Sequence, residues 1–148
     1  MQAEWTQKAA ASLGVKLLVT EARDRDYDRA FAAMVADRVE AVLVAASVVL
    51  STDHARVIQV AAKHRLPAIY DFREHVEAGA LMAYGGSVAA FARRAAVYVD
   101  RILKGAHPAE LPVERASVFE LAINLKTAKS LGLTMPSSLL ARADHVIQ

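Results

Sequence analysis

Five residues of this 148-residue chain have the types and settings suited to holding a small polar molecule: Ser47, Asp71, Tyr84, Gly85 and Ser87. Each ends or follows a short apolar run. A serine hydroxyl donates and accepts, the Asp71 carboxylate accepts from a ligand amine, and Tyr84 offers an apolar ring with a polar tip. Gly85, with Gly86 beside it, lets the backbone approach a ligand closely. Each also has a local reading. Capping or loop hydrogen bonding is the commoner use of serines placed like Ser47 and Ser87, and Asp71 is equally placed to cap the short helix after it. The chemistry is that of recognition. No Gly-x-Ser-x-Gly elbow, Walker loop or Gly-x-Gly-x-x-Gly fingerprint occurs, and the absence of cysteine removes thiolate nucleophiles and thiolate metal sites, so a binding protein without cofactor is expected, not an enzyme.

Other chemical candidates fail on spacing. Asp24, Asp26 and Asp28 mimic the opening of a calcium loop, but Arg29 stands where a glycine is needed and Val35 where a bidentate glutamate belongs. They read as a solvated helix start. Glu74, His75 and Glu77 have no HExxH spacing and point different ways on a helix, which suits a polar surface. His54 and His64 are ten residues apart and face different directions at about 100° per residue, so no metal site is expected. Trp5, alone on an Ala-rich helix, reads as a packing residue.

The elements that position these residues alternate. A helix is expected from Gln2 to Leu13, stopped by Gly14, then a strand over Val15–Ala22 and a helix carrying Tyr27, Ala30, Phe31, Met34 and Val35 on one line. Ala41–Ala46 reads as a buried strand, with Ser51, Thr52 and Asp53 as capping oxygens for a helix through His64. The segment Leu66–Tyr70 is the next strand, Arg73–Ala78 a short helix, and the run ALMAY another strand. Val88, Phe91, Ala92, Ala95, Val99 and Ile102 then mark the clearest helix, closed by Gly105. A Pro-containing connector over Ala106–Glu114 leads to the strand VFELAI, a helix capped by Asn124 and ended by Gly132, and a short helix near Pro136. This order predicts an α/β fold, a single domain over 1–148 with a parallel sheet, right-handed crossovers and helices on both faces.

Composition agrees with a globular domain: 55% of residues are hydrophobic and 23% charged. Eighteen Lys and Arg against sixteen Asp and Glu give a formal charge of +2, with no run of three basic residues, so no nucleic-acid partner is expected. The longest nearly unbroken apolar stretch, Ala41–Leu50, is about half of the ~20 residues that span a bilayer, and no membrane insertion is expected. The first residues carry no export-signal pattern. The chain opens on a helix where such domains open on a strand, which fits a native helical start and a chain cut from a longer one equally.

The segments LPAIYDFREHVEAGALMAYG, FARRAAVYVDRILKGAHPAELPVE and FELAINLKTAKSLGLTMPSSLLARADHVI, in that order, resemble the carboxy-terminal half of the ABC transporter substrate-binding family related to the tryptophan and tyrosine importers. The resemblance covers nearly the whole chain. It implies the type 1 periplasmic binding protein fold, two α/β lobes closing on a small solute such as an amino acid, and delivery of that solute to a permease driven by an ATPase subunit. It implies a periplasmic or lipid-anchored extracytoplasmic setting, with residues 78–123 holding the hinge-crossing segments and this chain forming about one lobe. Two departures affect the site: the Pro-Asp pair that often begins the loop after the AVLVAA strand in the family reads Ala46-Ser47 here, and the usual YGPN reads Tyr84, Gly85, Gly86, Ser87. The alternative function is a ligand-sensing effector domain of the same fold in a transcriptional or signalling regulator. A single lobe with open strand edges and an uncovered Val88–Ile102 stripe is further expected to self-associate as a homo-oligomer.

Overall fold

The computed structural model describes residues 2–115 and 117–148; Met1 and Ala116, the latter inside the expected hinge span, lie outside the described residues. The chain divides after Ala68 into two compact units.

In the first unit, α1 spans Gln2–Ser12 and its end is turned by Gly14 at φ 66°. Helix α2, Tyr27–Ala36, starts where the Asp26 side chain accepts from the Arg29 backbone N–H at 3.1 Å. It packs on α4, His54–Lys63, and the buried Tyr27, Ala30, Phe31, Val57 and Val60 form the core between them. The apolar spacing dictates this pairing, because each helix has one face that must leave water. Polar ties frame it. The Tyr27 hydroxyl donates to Asp53 Oδ2 at 2.7 Å, and Lys63 Nζ donates to Asp28 Oδ1 at 2.5 Å. Lys63 holds the Asp28 carboxyl below its usual range, so this tie is present above the ordinary carboxylate pKa and is lost as pH falls through the depressed one.

Three expectations fail in this unit. Val15–Ala22 is neither strand nor helix, and Val15, Leu18 and Val19 stay exposed; β-branched residues make a strand only where another strand supplies a ladder. The expected strand over Ala41–Ala46 shrinks to β1, Val42–Leu43, where the Val42 N–H donates to Pro67 O at 2.8 Å. The residues chosen as caps sit inside or behind a separate short helix, α3, Val48–Thr52: Thr52 Oγ1 donates back to Val48 O, and Asp53 is taken by Tyr27.

The second unit is built on strands in the order β2 (Ala68–Tyr70), β3 (Met82–Gly86), β4 (Phe119–Asn124) and β5 (His145–Ile147), the unit boundary falling inside β2. β2 and β3 run parallel, with Ile69 opposite Met82, and β4 and β5 run parallel, with Ala122 opposite His145. Between them β3 and β4 are antiparallel over five residue pairs, from Met82–Ile123 to Gly86–Phe119. The sheet is mostly parallel, as expected, and the β3–β4 pairing is the part of it that runs antiparallel. The cause is where the chain returns. Helix α6, Val88–Leu103, and the connector behind it leave from the end of β3 and come back to the same end, where the Ser87 N–H donates to Val118 O at 3.2 Å. A strand begun there can only run back along β3. Strand β5 is also new, since its three residues have too short a pattern to declare themselves.

The remaining helices are α5 (Arg73–Glu77), α7 (Leu125–Leu131) and α8 (Ser137–Leu140), all near their expected places. Asn124 caps α7 through Thr127 N at 3.1 Å, and its Nδ2 donates to Val76 O at 3.3 Å, tying the two helices around the sheet. Ile123 and Val76 are fully buried at the centre of this unit. The class is α/β, a mostly parallel sheet with helices around it.

Gly85 is required by packing, since a Cβ there would lie 1.9 Å from the Asp71 carbonyl oxygen. Gly85→Ala should therefore cost about 3 kcal/mol in urea unfolding, against about 1 kcal/mol for Gly132→Ala, whose position is merely left-handed; equal losses would contradict the close approach. In the first unit Tyr27→Phe should cost about 1 kcal/mol and Tyr27→Ala about 4 kcal/mol, separating the Asp53 hydrogen bond from the ring's burial.

Candidate ligand-binding edge

The carboxyl ends of β2 and β3 lie in one edge of the second unit, together with the start of the antiparallel β4. Three loops therefore meet there. Asp71 leaves β2 with its carbonyl oxygen against Gly85, where a Cβ would lie 1.9 Å from it, so the ends of β2 and β3 meet backbone to backbone. Its carboxylate is half-buried, with Oδ1 3.2 Å from His75 Nδ1 one turn on. The Asp71 side chain is thus held from within α5.

Two residues on, Arg73 gathers the start of three elements. Its Nε lies 3.2 Å from Glu77 on its own helix, and its guanidinium reaches Glu120 on β4 at 3.9 Å and His145 Nε2 on β5 at 3.1 Å. A guanidinium only donates, so in this contact His145 accepts through Nε2. The Tyr70 ring is buried at the end of β2, edge-on to His75, and burial pushes its phenol above the ordinary value. These groups form the polar floor.

Tyr84 is different: it is 58% exposed, and so is its neighbour Phe119 at 51%. Their rings stack with centroids 5.9 Å apart and 24° between planes. The pair is a diagonal one across β3 and β4, since Tyr84 stands opposite Leu121 and Gly86 opposite Phe119. Two large rings stacked on each other yet half in water form an apolar platform beside the Asp71 loop. The Phe91 ring closes over Gly86, where a Cβ would come within 2.3 Å of it.

Of the five residues singled out in the sequence, Asp71, Tyr84, Gly85 and Ser87 fall on this edge and Ser47 belongs to the first unit. Ser87 is buried; its Oγ accepts from Ala90 N at 3.4 Å, the capping role of its two. Ser47 precedes α3 in extended conformation, exposed, and its hydroxyl makes no cap bond. Phe119, Arg73 and Glu120 join the site without having been foreseen. Phe119 sits in a recognisable strand, but only the antiparallel register brings it to Tyr84. Glu74, read with His75 and Glu77 as polar surface, is exposed, as is Glu77, whereas His75 is buried.

A second concavity of about 940 Å³ runs between α6 and the returning connector, lined by Phe91, Tyr98, Ile102, Leu111 and Val118. Arg94 pairs bidentately with Glu114 and stacks over Tyr98, whose hydroxyl donates to Pro112 O at 2.6 Å. The hydrogen bonds from Arg94 hold the Glu114 carboxyl below its usual range. This clasp binds the connector to one side of α6.

Known proteins now place the fold. The family described as ABC transporter substrate binding protein matches residues 1–147. A conserved domain protein from Vibrio cholerae O1 biovar eltor is 28% identical, with a TM-score of 0.87 over 98% of this chain and 49% of its own. An ABC domain in complex with L-Trp from Streptococcus pneumoniae is 24% identical, with a TM-score of 0.87 over 99% of this chain and 51% of its own. The ligand-free, open substrate binding protein with adhesive properties from Clostridium difficile is 19% identical, with a TM-score of 0.66 over 99% and 49%. No curated protein matches the chain. The chain spans about half the length of these structural neighbours, and among its described residues no helix is long and apolar enough to cross a membrane. A match that runs through all but the last residue, on a fold shared with solved binding proteins, makes this chain a member of the ABC transporter substrate binding protein family.

Proposed function

We propose that this chain supplies one wall of the solute cleft of an ABC-type uptake system, and that the solute is a small amino acid with an aromatic side chain. The observation that carries this reading is the exposed Tyr84–Phe119 stack, next along β3 to Gly85, on which the Asp71 backbone closes. A solute ring lies on the aromatic platform, and its ammonium group donates to Asp71. Gly85 keeps the backbone low enough for that approach, and Ser87 fixes the turn into α6. The L-Trp held by the pneumococcal neighbour supports the solute class.

Mechanistically, such a wall binds and does not transform. A two-walled cleft gains affinity by burying the solute on both sides and by closing water out, and the closed form is what a permease and its ATPase recognise at the extracytoplasmic face. β3 and β4, antiparallel and joined through α6, are the segments of residues 78–123 that cross the hinge in this reading. With one wall, the solute keeps half its surface in water, so the chain by itself binds weakly.

Titration of the isotope-labelled chain with L-tryptophan should move the backbone amide signals of Asp71, Tyr84 and Phe119 first, with saturation only at millimolar solute. Shifts confined to other residues, or micromolar affinity by calorimetry, would remove the one-wall reading. Tyr84→Ala and Phe119→Ala should each weaken the millimolar binding about fivefold or more while leaving the folded fraction unchanged, because both rings are largely in solvent.

A further inference from the structure

We propose that His75 is a positioning residue behind Asp71 and makes solute capture proton-linked, because a protonated His75 and the solute's ammonium group compete for the one carboxylate. This inference rests on the reading of the edge as a wall that receives an amino-group-bearing solute. His75 Nδ1 lies 3.2 Å from Asp71 Oδ1, which is ion-pair distance, with 7% of the histidine side chain and 20% of the aspartate side chain in solvent. Two rings hold the imidazole there. Tyr70 and Phe72 each meet it edge-on, with centroids 5.6 and 5.8 Å away and 69° between planes in both contacts.

A buried imidazolium is costly without a counter-charge, and the counter-charge that the structure gives His75 is Asp71. The other titratable and charged groups on α5 and on the strands packed against it are engaged differently. Glu120 on β4, His145 on β5 and Glu77 on α5 itself all lie on Arg73, Tyr84 on β3 stacks on Phe119, and Glu74 is exposed. The Tyr70 phenol is kept un-ionised by burial. Protonation of His75 therefore makes Asp71 half of an internal ion pair. A solute ammonium needs the same oxygens. While His75 is neutral, the carboxylate offers its full charge and its remaining lone pairs to a second donor. Once His75 is charged, the ammonium meets a carboxylate already neutralised, with a second cation behind it. The sign follows: affinity for an amine is full above the pH range in which histidines titrate and falls as pH drops through it. By reciprocity, the bound amine drives the proton off His75.

Binding of L-tryptophan to the isotope-labelled chain, followed at the Tyr84 and Phe119 amides, should weaken about fivefold between pH 8 and pH 5. H75N, whose amide takes the place of Nδ1 and gains no charge, should bind with a flat profile, its fold checked by circular dichroism. Indole-3-propionate, which brings no ammonium to Asp71, should show no such loss in the wild-type chain. A further readout needs no substitution: saturating L-tryptophan should move the titration of the His75 imidazole resonance down by about 0.7 pH unit, the same fivefold coupling seen from the other site. A flat wild-type profile, a slope that H75N retains, a slope shared by indole-3-propionate, or an imidazole titration that the solute leaves in place overturns the proposal. L-tryptophan that shifts neither amide even at pH 8 removes the solute reading itself and this inference with it, so the two failures are told apart.

Discussion

The second unit depends on one geometric constraint, the return of the chain to the end of β3 that it left. Because the Ser87 N–H meets Val118 O, β4 must start beside Gly86 and run back along β3, and five residue pairs follow from that single closure. Phe119 and Glu120 inherit their positions on the candidate edge from this register. Phe119 reaches Tyr84 only because Gly86 stands opposite it, and Glu120 reaches Arg73 only because β4 starts at the edge where β2 ends. A slip of one residue would turn Phe119 to the other face and bury Glu120's neighbours wrongly.

The register is in turn protected by groups with no role on the edge itself. Asn124 serves two elements at once, capping α7 with its oxygen and holding Val76 with its nitrogen, so the far end of β4 is pinned where the near end opens to solvent. Asp144 Oδ2 accepts from the Leu121 N–H at 2.8 Å and brings the β5 start to the same strand. The fully buried Ile123 lies between these ties. One end of the strand pair is therefore rigid and apolar, and the other carries exposed aromatics and charges. That asymmetry is what a binding edge needs, because precise placement of Tyr84 and Phe119 comes from the packed end while access comes from the open one.

The sequence makes the helices legible and the sheet only partly so. The spacing of Val88, Phe91, Ala95 and Val99 announces α6, and Asn124 and Gly132 bracket α7, since helix signals are local in the chain. Strands depend on partners far away. Val15–Ala22 has the composition of a strand and forms none, while His145–Ile147 has almost no pattern and joins β4. The site divides along the same line. Asp71, Tyr84 and Gly85 are visible because they follow apolar runs, whereas Arg73, Phe119 and Glu120 act through contacts across 35 to 72 residues that only the fold creates. The serines show the limit of residue type as a guide: Ser87 is spent on a cap, and Ser47, of the same chemistry, is not.

Helix α6 extends this logic beyond the sheet. A helix with a strong apolar stripe is stable in water only if something covers that stripe, since the hydrophobic face contributes most of a helix's tertiary stabilisation. The clasp of Arg94, Tyr98 and Glu114 shields one side and leaves the Val88–Leu103 line open. Cover must therefore come from another surface, and whichever surface it is has to match small residues at the centre of the stripe and larger ones at its ends.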